Sequence, residues 1–199
     1  MSLPRKASVH RKTGETDVSV TVNLDGTGRS SVSTGVPFLD HMLNLFAKHS
    51  RVDLDVAAKG DIEIDFHHTV EDTGIVLGQA IREALGDKRG IVRYGFSLLP
   101  MDETLARVAL DFSGRPFLDF RAPTGVDSIG GNFNFTLVEE FMRAFAFNAL
   151  INLHIAIEYG RDGHHMAEAI FKGLARGVDV AIRIDPRIAG DVPSTKNVL

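Results

Sequence analysis

The tetrad His-His-x-x-Glu occurs twice in the chain, as His67-His68-Thr69-Val70-Glu71 and as His164-His165-Met166-Ala167-Glu168. Four of the 8 histidines stand in these two pairs. Neutral imidazole and carboxylate are the usual protein ligands of divalent transition metals. Repetition of the whole tetrad points to a metal centre built from two related halves. Successive helical residues point about 100° apart, whereas residues three or four apart share a face. Glu71 can therefore side with His67 or His68, and Glu168 with His164 or His165, but not readily with both. Each tetrad is expected to serve two metal positions. If one of them lies outside the subunit, the motif also links copies of the chain.

His41 and Glu140 are the natural further ligands, because they occupy matching places ahead of the two pairs. Taken alone, His41 reads as a core histidine and Glu140 as part of a solvated Glu139-Glu140 face. Together the candidates are His41, His67, His68, Glu71, Glu140, His164, His165 and Glu168. This sulfur-free set suits manganese, iron, cobalt or zinc, and room for substrate favours an octahedral ion.

The elements that must position these residues follow from periodicity. Val18, Val20, Val22 and Leu24 alternate as a half-buried strand, closed by the turn Asp25-Gly26-Thr27-Gly28. Val32 to Val36 is expected as its return strand. Pro37 opens a helix carrying Phe38, Leu39, Met42, Leu43 and Phe46. Residues 54–56 and 62–64 read as strands, and a helix runs from Thr69 to Leu85. The pattern then restarts with strands at 96–99, 105–110 and 117–120, a loop over 123–131, a helix over 135–150, a strand over 153–157 and a helix from His164 to about Arg183. The repeated order indicates an internal duplication, with halves at about 10–90 and 91–185 and an irregular tail over 186–199. The expected fold is α+β, duplicated sheet-and-helix half-domains with sheet packed on helices.

Composition narrows the class. The chain has 199 residues, 44% of them hydrophobic and 24% charged, as in ordinary globular domains. A formal charge of -4 argues against a dedicated nucleic-acid surface. Without cysteine, any metal must be held by nitrogen and oxygen. No apolar run is long enough to span a membrane, and the polar, basic stretch from Met1 to Arg11 lacks the apolar core of a secretory signal, so the cytoplasm is expected.

Six motifs occur in order: Phe38-Leu39-Asp40-His41-Met42-Leu43, Asp65-Phe66-His67-His68-Thr69-Val70-Glu71-Asp72, Arg93-Tyr94-Gly95, Met101-Asp102-Glu103, Ser113-Gly114-Arg115-Pro116, and Gly163-His164-His165-x-x-Glu168-Ala169-x-Phe171-Lys172. From about Glu15 to the C-terminus they closely resemble the imidazoleglycerol-phosphate dehydratase family of histidine biosynthesis. The resemblance implies a manganese-dependent lyase with two metal positions per active centre. It further implies the ribosomal protein S5 domain 2-like fold, and trimers that assemble into a shell of twenty-four subunits with metals at subunit contacts. Two positions depart from the family pattern. Glu140 stands where many members have histidine, which leaves that ligand less secure. Leu45 stands where members often have glutamine near substrate, and core packing accounts for it.

The resemblance also implies roles. Arg93, Arg115, Lys172, Ser194 and Lys196 match phosphate-contacting positions, with arginine suited to bidentate contacts and lysine to a point charge. The tail carrying Ser194 and Lys196 is expected to order over the phosphate. The C2 proton of such a substrate has no carbonyl beside it. The imidazole ring must first supply electrons to expel the neighbouring hydroxyl, after which a carboxylate can take the proton. Glu15 is the candidate for that transfer, with Glu71 and Glu168 as competitors. His41, His49, His67, Glu71 and His164 are expected near substrate. Asp102 and Glu103 read as supports rather than as catalytic groups. The same ligands would also suit a dinuclear phosphoesterase, a metal-storing shell, or a family member inactivated by the change at Glu140.

Overall fold

The structure is a computed structural model that describes residues 4–126, 128–130, 132–188, 190–196 and 198–199. The first half contains β1 (Lys6–Lys12), β2 (Thr16–Asn23), β3 (Ser30–Ser33), α1 (Pro37–Ser50), β4 (Asp53–Gly60) and α2 (His67–Leu85). The second contains β5 (Tyr94–Met101), β6 (Thr104–Asp111), β7 (Phe117–Arg121), α3 (Thr136–Ala149), β10 (Asn152–Tyr159) and α4 (Gly163–Ala181). A small hairpin, β8 (Ser128–Gly130) with β9 (Phe133–Asn134), precedes α3.

Both four-stranded sheets share one topology. The orders are β1-β2-β4-β3 and β5-β6-β10-β7. In each, the second strand lies antiparallel to both its neighbours, and the edge strand β3 or β7 runs parallel to β4 or β10. A parallel neighbour requires a crossover, and α1 and α3 provide it. The duplication is thus present at the level of register, as well as in the tetrads.

One face of each sheet is buried. Val18, Val20 and Val22 on β2 and Ala106, Val108 and Leu110 on β6 point inward, alternating with more exposed residues. The helices of the two halves pack on each other, α2 with α3 and α1 with α4, while α2 also rests on the first sheet and α4 on the second. The helices therefore lie between two outer sheets, where the sequence suggested sheet on one side and helices on the other. Glycines permit this close layering. A Cβ on Gly74 or Gly78 of α2 would meet backbone of α3 at 2.8 Å and 2.7 Å. A Cβ on Gly95 of β5 would lie 1.9 Å from the carbonyl oxygen of Gly177 on α4.

Four sequence expectations need correction. β1 was not foreseen, because only Ala7 and Val9 supply its apolar alternation. Residues 30–33 pair with β4 in parallel, so they are not a return strand to β2. Residues 62–64 form a turn with Ile62 and Ile64 exposed, so their alternation does not mark a buried face. Part of the expected loop over 123–131 contributes β8; Asp127 and Gly131 lie outside the described residues. Among the described residues, no helix is long and apolar enough to cross a membrane.

Candidate metal centre and cationic cavity

Asp162 builds the start of α4. Its side chain accepts hydrogen bonds from the backbone N–H groups of His164, at 2.8 Å, and His165, at 3.1 Å, as an N-cap should. Both imidazoles consequently project from the first turn, and Glu168 follows His164 one turn later. Helix α1 packs against α4 and brings His41 to the same place. His41 Nε2 lies 3.0 Å and His164 Nε2 3.1 Å from one oxygen, Glu168 Oε1. Ligand atoms of all three fall within 4.8 Å of one another. Lys172, a further turn along, donates to the other oxygen, Oε2.

Burial would raise the pKa of Glu168, but the hydrogen bonds from Lys172, His41 and His164 outweigh it and hold the carboxyl at about 2. The group is an anion at any ordinary pH. Each imidazole needs a proton on Nε2 to bond that anion, and a divalent cation can replace both protons at once. The donor set of two imidazole nitrogens and one carboxylate oxygen fits manganese, iron, cobalt or zinc. Phe38 stands edge-on to His164 with centroids 5.1 Å apart, walling one side of the cluster. A largely apolar cavity of about 520 Å³ opens beside it, lined by Pro37, Phe38, His41, Phe66, Phe133 and His164.

The first half repeats the frame without completing the cluster. Asp65 accepts from the backbone N–H of His67 at 2.7 Å, and His67 Nε2 lies 3.7 Å from Glu71 Oε2. Glu140 is half-buried on α3, yet His67, Glu71 and Glu140 do not converge as His41, His164 and Glu168 do, the one such group among the described residues. The second histidine of each pair turns away from the first. His67 and His68 have ring planes at 85° and His164 and His165 at 86°. His165 Nδ1 lies 2.7 Å from Glu103 Oε2, and its Nε2 3.7 Å from Asp102. His68 Nδ1 lies 3.1 Å from Asp61 Oδ2 and 3.8 Å from Glu15 Oε2.

Hydrogen bonds from His165 and the backbone N–H groups of Asp162 and Arg161 keep the Glu103 carboxyl far below its ordinary range. The bonds to Asp61 and Glu103 raise His68 and His165 respectively. Glu15 is more than half exposed, at 58% of its side chain, on the turn between β1 and β2.

A separate cavity of about 870 Å³ gathers Arg93, Arg115, Ser194 and Lys196, with Tyr94 and Ser113 in its wall. Arg93 has a left-handed backbone, at φ 77°, and its guanidinium forks onto Asp111 at 2.7 Å and 3.0 Å. A third donor reaches the Pro193 carbonyl at 2.7 Å and ties the tail down. Lys172 is not part of this cavity; it belongs to the metal cluster. His49 is half-buried at the end of α1, its pKa lowered by burial and by the charges of Lys172 and Arg176. Leu45 packs against the core. Sequence reasoning missed Asp61, Phe38 and Tyr94 as site neighbours. Phe38 carried a signal, lying three residues before His41 on one helical face, and so did Tyr94, inside the Arg93-Tyr94-Gly95 motif.

The model of the family "Imidazoleglycerol-phosphate dehydratase" matches residues 34–178. The chain is similar to the imidazoleglycerol-phosphate dehydratase of Akkermansia muciniphila, 59% identical with 98% of this chain and 100% of that one covered. It is 60% identical to the one from Azorhizobium caulinodans, with 98% of each covered. Among solved structures, the Staphylococcus aureus dehydratase superposes with a TM-score of 0.81 at 42% identity, over 90% of this chain and 99% of that one. The Pyrococcus furiosus protein, in complex with (S)-C348, also gives 0.81, at 33% identity over 96% and 100%. A shared frame of two matched halves, a histidine-carboxylate cluster and identity over nearly the full length agree: the chain belongs to the imidazoleglycerol-phosphate dehydratase family, a family of hydro-lyases of histidine biosynthesis.

Proposed function

We propose that the chain catalyses the manganese-dependent dehydration of D-erythro-1-(imidazol-4-yl)glycerol 3-phosphate to 3-(imidazol-4-yl)-2-oxopropyl phosphate and water, in the cytoplasm. The observation that carries this reading is the convergence of His41 and His164 on one oxygen of an anionic, buried Glu168. His41, His164 and Glu168 would hold one ion; His67, His68, Glu71, Glu140 and His165 are the remaining donors, with the two histidines of each pair going to different ions. The bound metal supplies Lewis acidity toward the imidazole of the substrate and fixes its orientation. Phe38, Phe66 and Phe133 exclude water beside that ring. Arg115, Ser194, Lys196 and the free donors of Arg93 bind the phosphate. Glu15, exposed and close to His68, takes the C2 proton once the hydroxyl has left.

The cationic cavity and the metal cluster lie at opposite ends of β5. Arg93 precedes the strand, while Met101, its last residue, has its sulfur 3.4 Å from Lys172 Nζ beside Glu168. Eight strand steps separate them by roughly 25 Å. Ring and phosphate joined by three carbons cannot bridge that span. The same reading therefore has the cavity of one copy facing the metal cluster of another, in trimers that build a shell of twenty-four. The perpendicular histidines support it, since the two rings of each pair are not aimed at one ion.

The test is ketone formation from the natural substrate, with and without added manganese, on protein whose metal content is measured. Phosphate release without ketone would overturn it in favour of a phosphoesterase. An Arg115→Ala chain and a His164→Ala chain should each be inactive alone. Refolded together they should regain activity, because one intact cavity can meet one intact cluster; no recovery argues for a site within one chain. Truncation after Val192 should raise KM about tenfold or more with smaller effect on kcat, through loss of Ser194 and Lys196. Unchanged kinetics would remove the tail from the site.

A further inference from the structure

We propose that Asp61 and Glu103 are the positioning residues of His68 and His165, and that Asp61 takes this task in the first half so that Glu15 is left free to move a proton. The inference rests on the reading of His68 and His165 as metal ligands.

The turns β1–β2 and β5–β6 are equivalent in the duplicated fold. Each carries a glutamate, Glu15 in one and Glu103 in the other, and each glutamate lies near the second histidine of its own half. Their surroundings differ. Glu103 is fully engaged: Oε1 accepts from the backbone N–H groups of Arg161 at 3.1 Å and Asp162 at 3.0 Å, and Oε2 faces His165 Nδ1 at 2.7 Å. Glu15 stands 3.8 Å from His68 Nδ1, beyond hydrogen-bond reach. Asp61, from the segment between β4 and α2, occupies that nitrogen with both oxygens, at 3.1 Å and 3.2 Å. An acceptor at Nδ1 places the ring proton there and leaves the Nε2 lone pair for a cation. The two halves thus reach one arrangement with carboxylates from non-equivalent positions. The glutamate displaced from the duty is the one proposed to act on substrate.

The two carboxylates predict different responses to an amide. In Glu103→Gln the amide oxygen must stay at the Oε1 place to satisfy two backbone donors. Its NH2 group then faces His165 Nδ1, which can only accept, so the proton moves to Nε2 and blocks it. In Asp61→Asn the amide can turn its oxygen to His68 and keep the proton on Nδ1. Asp61→Ala removes the acceptor.

Manganese titration of the full chain, with thermal unfolding of the metal-free form as control, reads the outcome. Glu103→Gln and Asp61→Ala should weaken manganese binding about 10–100-fold, and Asp61→Asn much less. In a His165→Ala background, Glu103→Gln should add nothing. Ring 15N shifts of labelled histidines in the metal-free chain should show His165 protonated on Nδ1 in the parent and on Nε2 in Glu103→Gln. Parent-like shifts in Glu103→Gln, or an effect that persists in the His165→Ala background, would overturn the proposal. The tautomer readout involves neither manganese nor turnover. Failure of the parent to bind manganese or form ketone would therefore count against the dehydratase reading alone.

Discussion

Replacing Glu168 by glutamine is expected to abolish dehydration while leaving the chain folded. The side chain is nearly isosteric, is buried on α4, and can still hydrogen-bond Lys172 through its carbonyl. What it loses is the charge that balances a divalent cation and the oxygen on which His41 and His164 converge. Loss of metal-borne transition-state stabilisation is worth several kcal/mol, so kcat/KM should fall by about 10³-fold or more. Manganese content per chain should fall with it, and the circular dichroism spectrum should match the parent. A variant that keeps its metal and turns over at the parental rate would show that this carboxylate is neither ligand nor acid-base group.

The largest effect on stability should come from Gly95→Ala. In sequence the residue closes the Arg93-Tyr94-Gly95 motif, just ahead of the strand expected at 96–99. In the fold, β5 crosses α4 at Gly177 so closely that the new methyl carbon would sit 1.9 Å from a carbonyl oxygen and 2.6 Å from the carbonyl carbon. Both obstacles are backbone, so no side chain can swing aside. Helix and sheet must separate locally, which costs about 3 kcal/mol or more. For a chain of this length that corresponds to a fall in Tm of roughly 6–12 °C. Gly14→Ala is the natural control: nothing lies within 4 Å of its added methyl, and it should unfold like the parent. A parental Tm for Gly95→Ala would mean that β5 and α4 do not approach as described. Because α4 carries His164 and Glu168, the same variant should also lose metal affinity.

Both predictions depend on contacts that periodicity cannot reveal. Helices α1 to α4 and strands β2, β6 and β10 were legible because apolar residues recur at helical or alternating spacing over long stretches. Strand β1 was not, since its inward residues are only Ala7, Val9 and Arg11, and Arg11 is there to pair with Asp72. Without β1, the partner of β2 could only be sought downstream. Residues 62–64 misled in the opposite sense, as alternation without burial. At the site, the tetrads announced themselves by repetition, and helical geometry alone implied diverging rings. Asp61 and Glu103 could not be paired with His68 and His165 from spacing. Glu103 lies 62 positions from His165, and only the equivalence of two hairpin turns puts it there.

The donors of the histidine-carboxylate cluster have different parentage. His41 belongs to the first repeat, whereas His164 and Glu168 belong to the second. Helix α1 crosses to α4 rather than resting beside α2, so neither repeat owns the site. A polypeptide of one repeat's length, however well folded, would present a helix-borne histidine with no carboxylate to meet, and a histidine-glutamate pair with no third donor. Two such polypeptides facing each other would complete both sets. Joining the repeats in one chain made that encounter independent of concentration. It also allowed the two copies of the tetrad to diverge, one closing on its own ligands within the chain and the other remaining open.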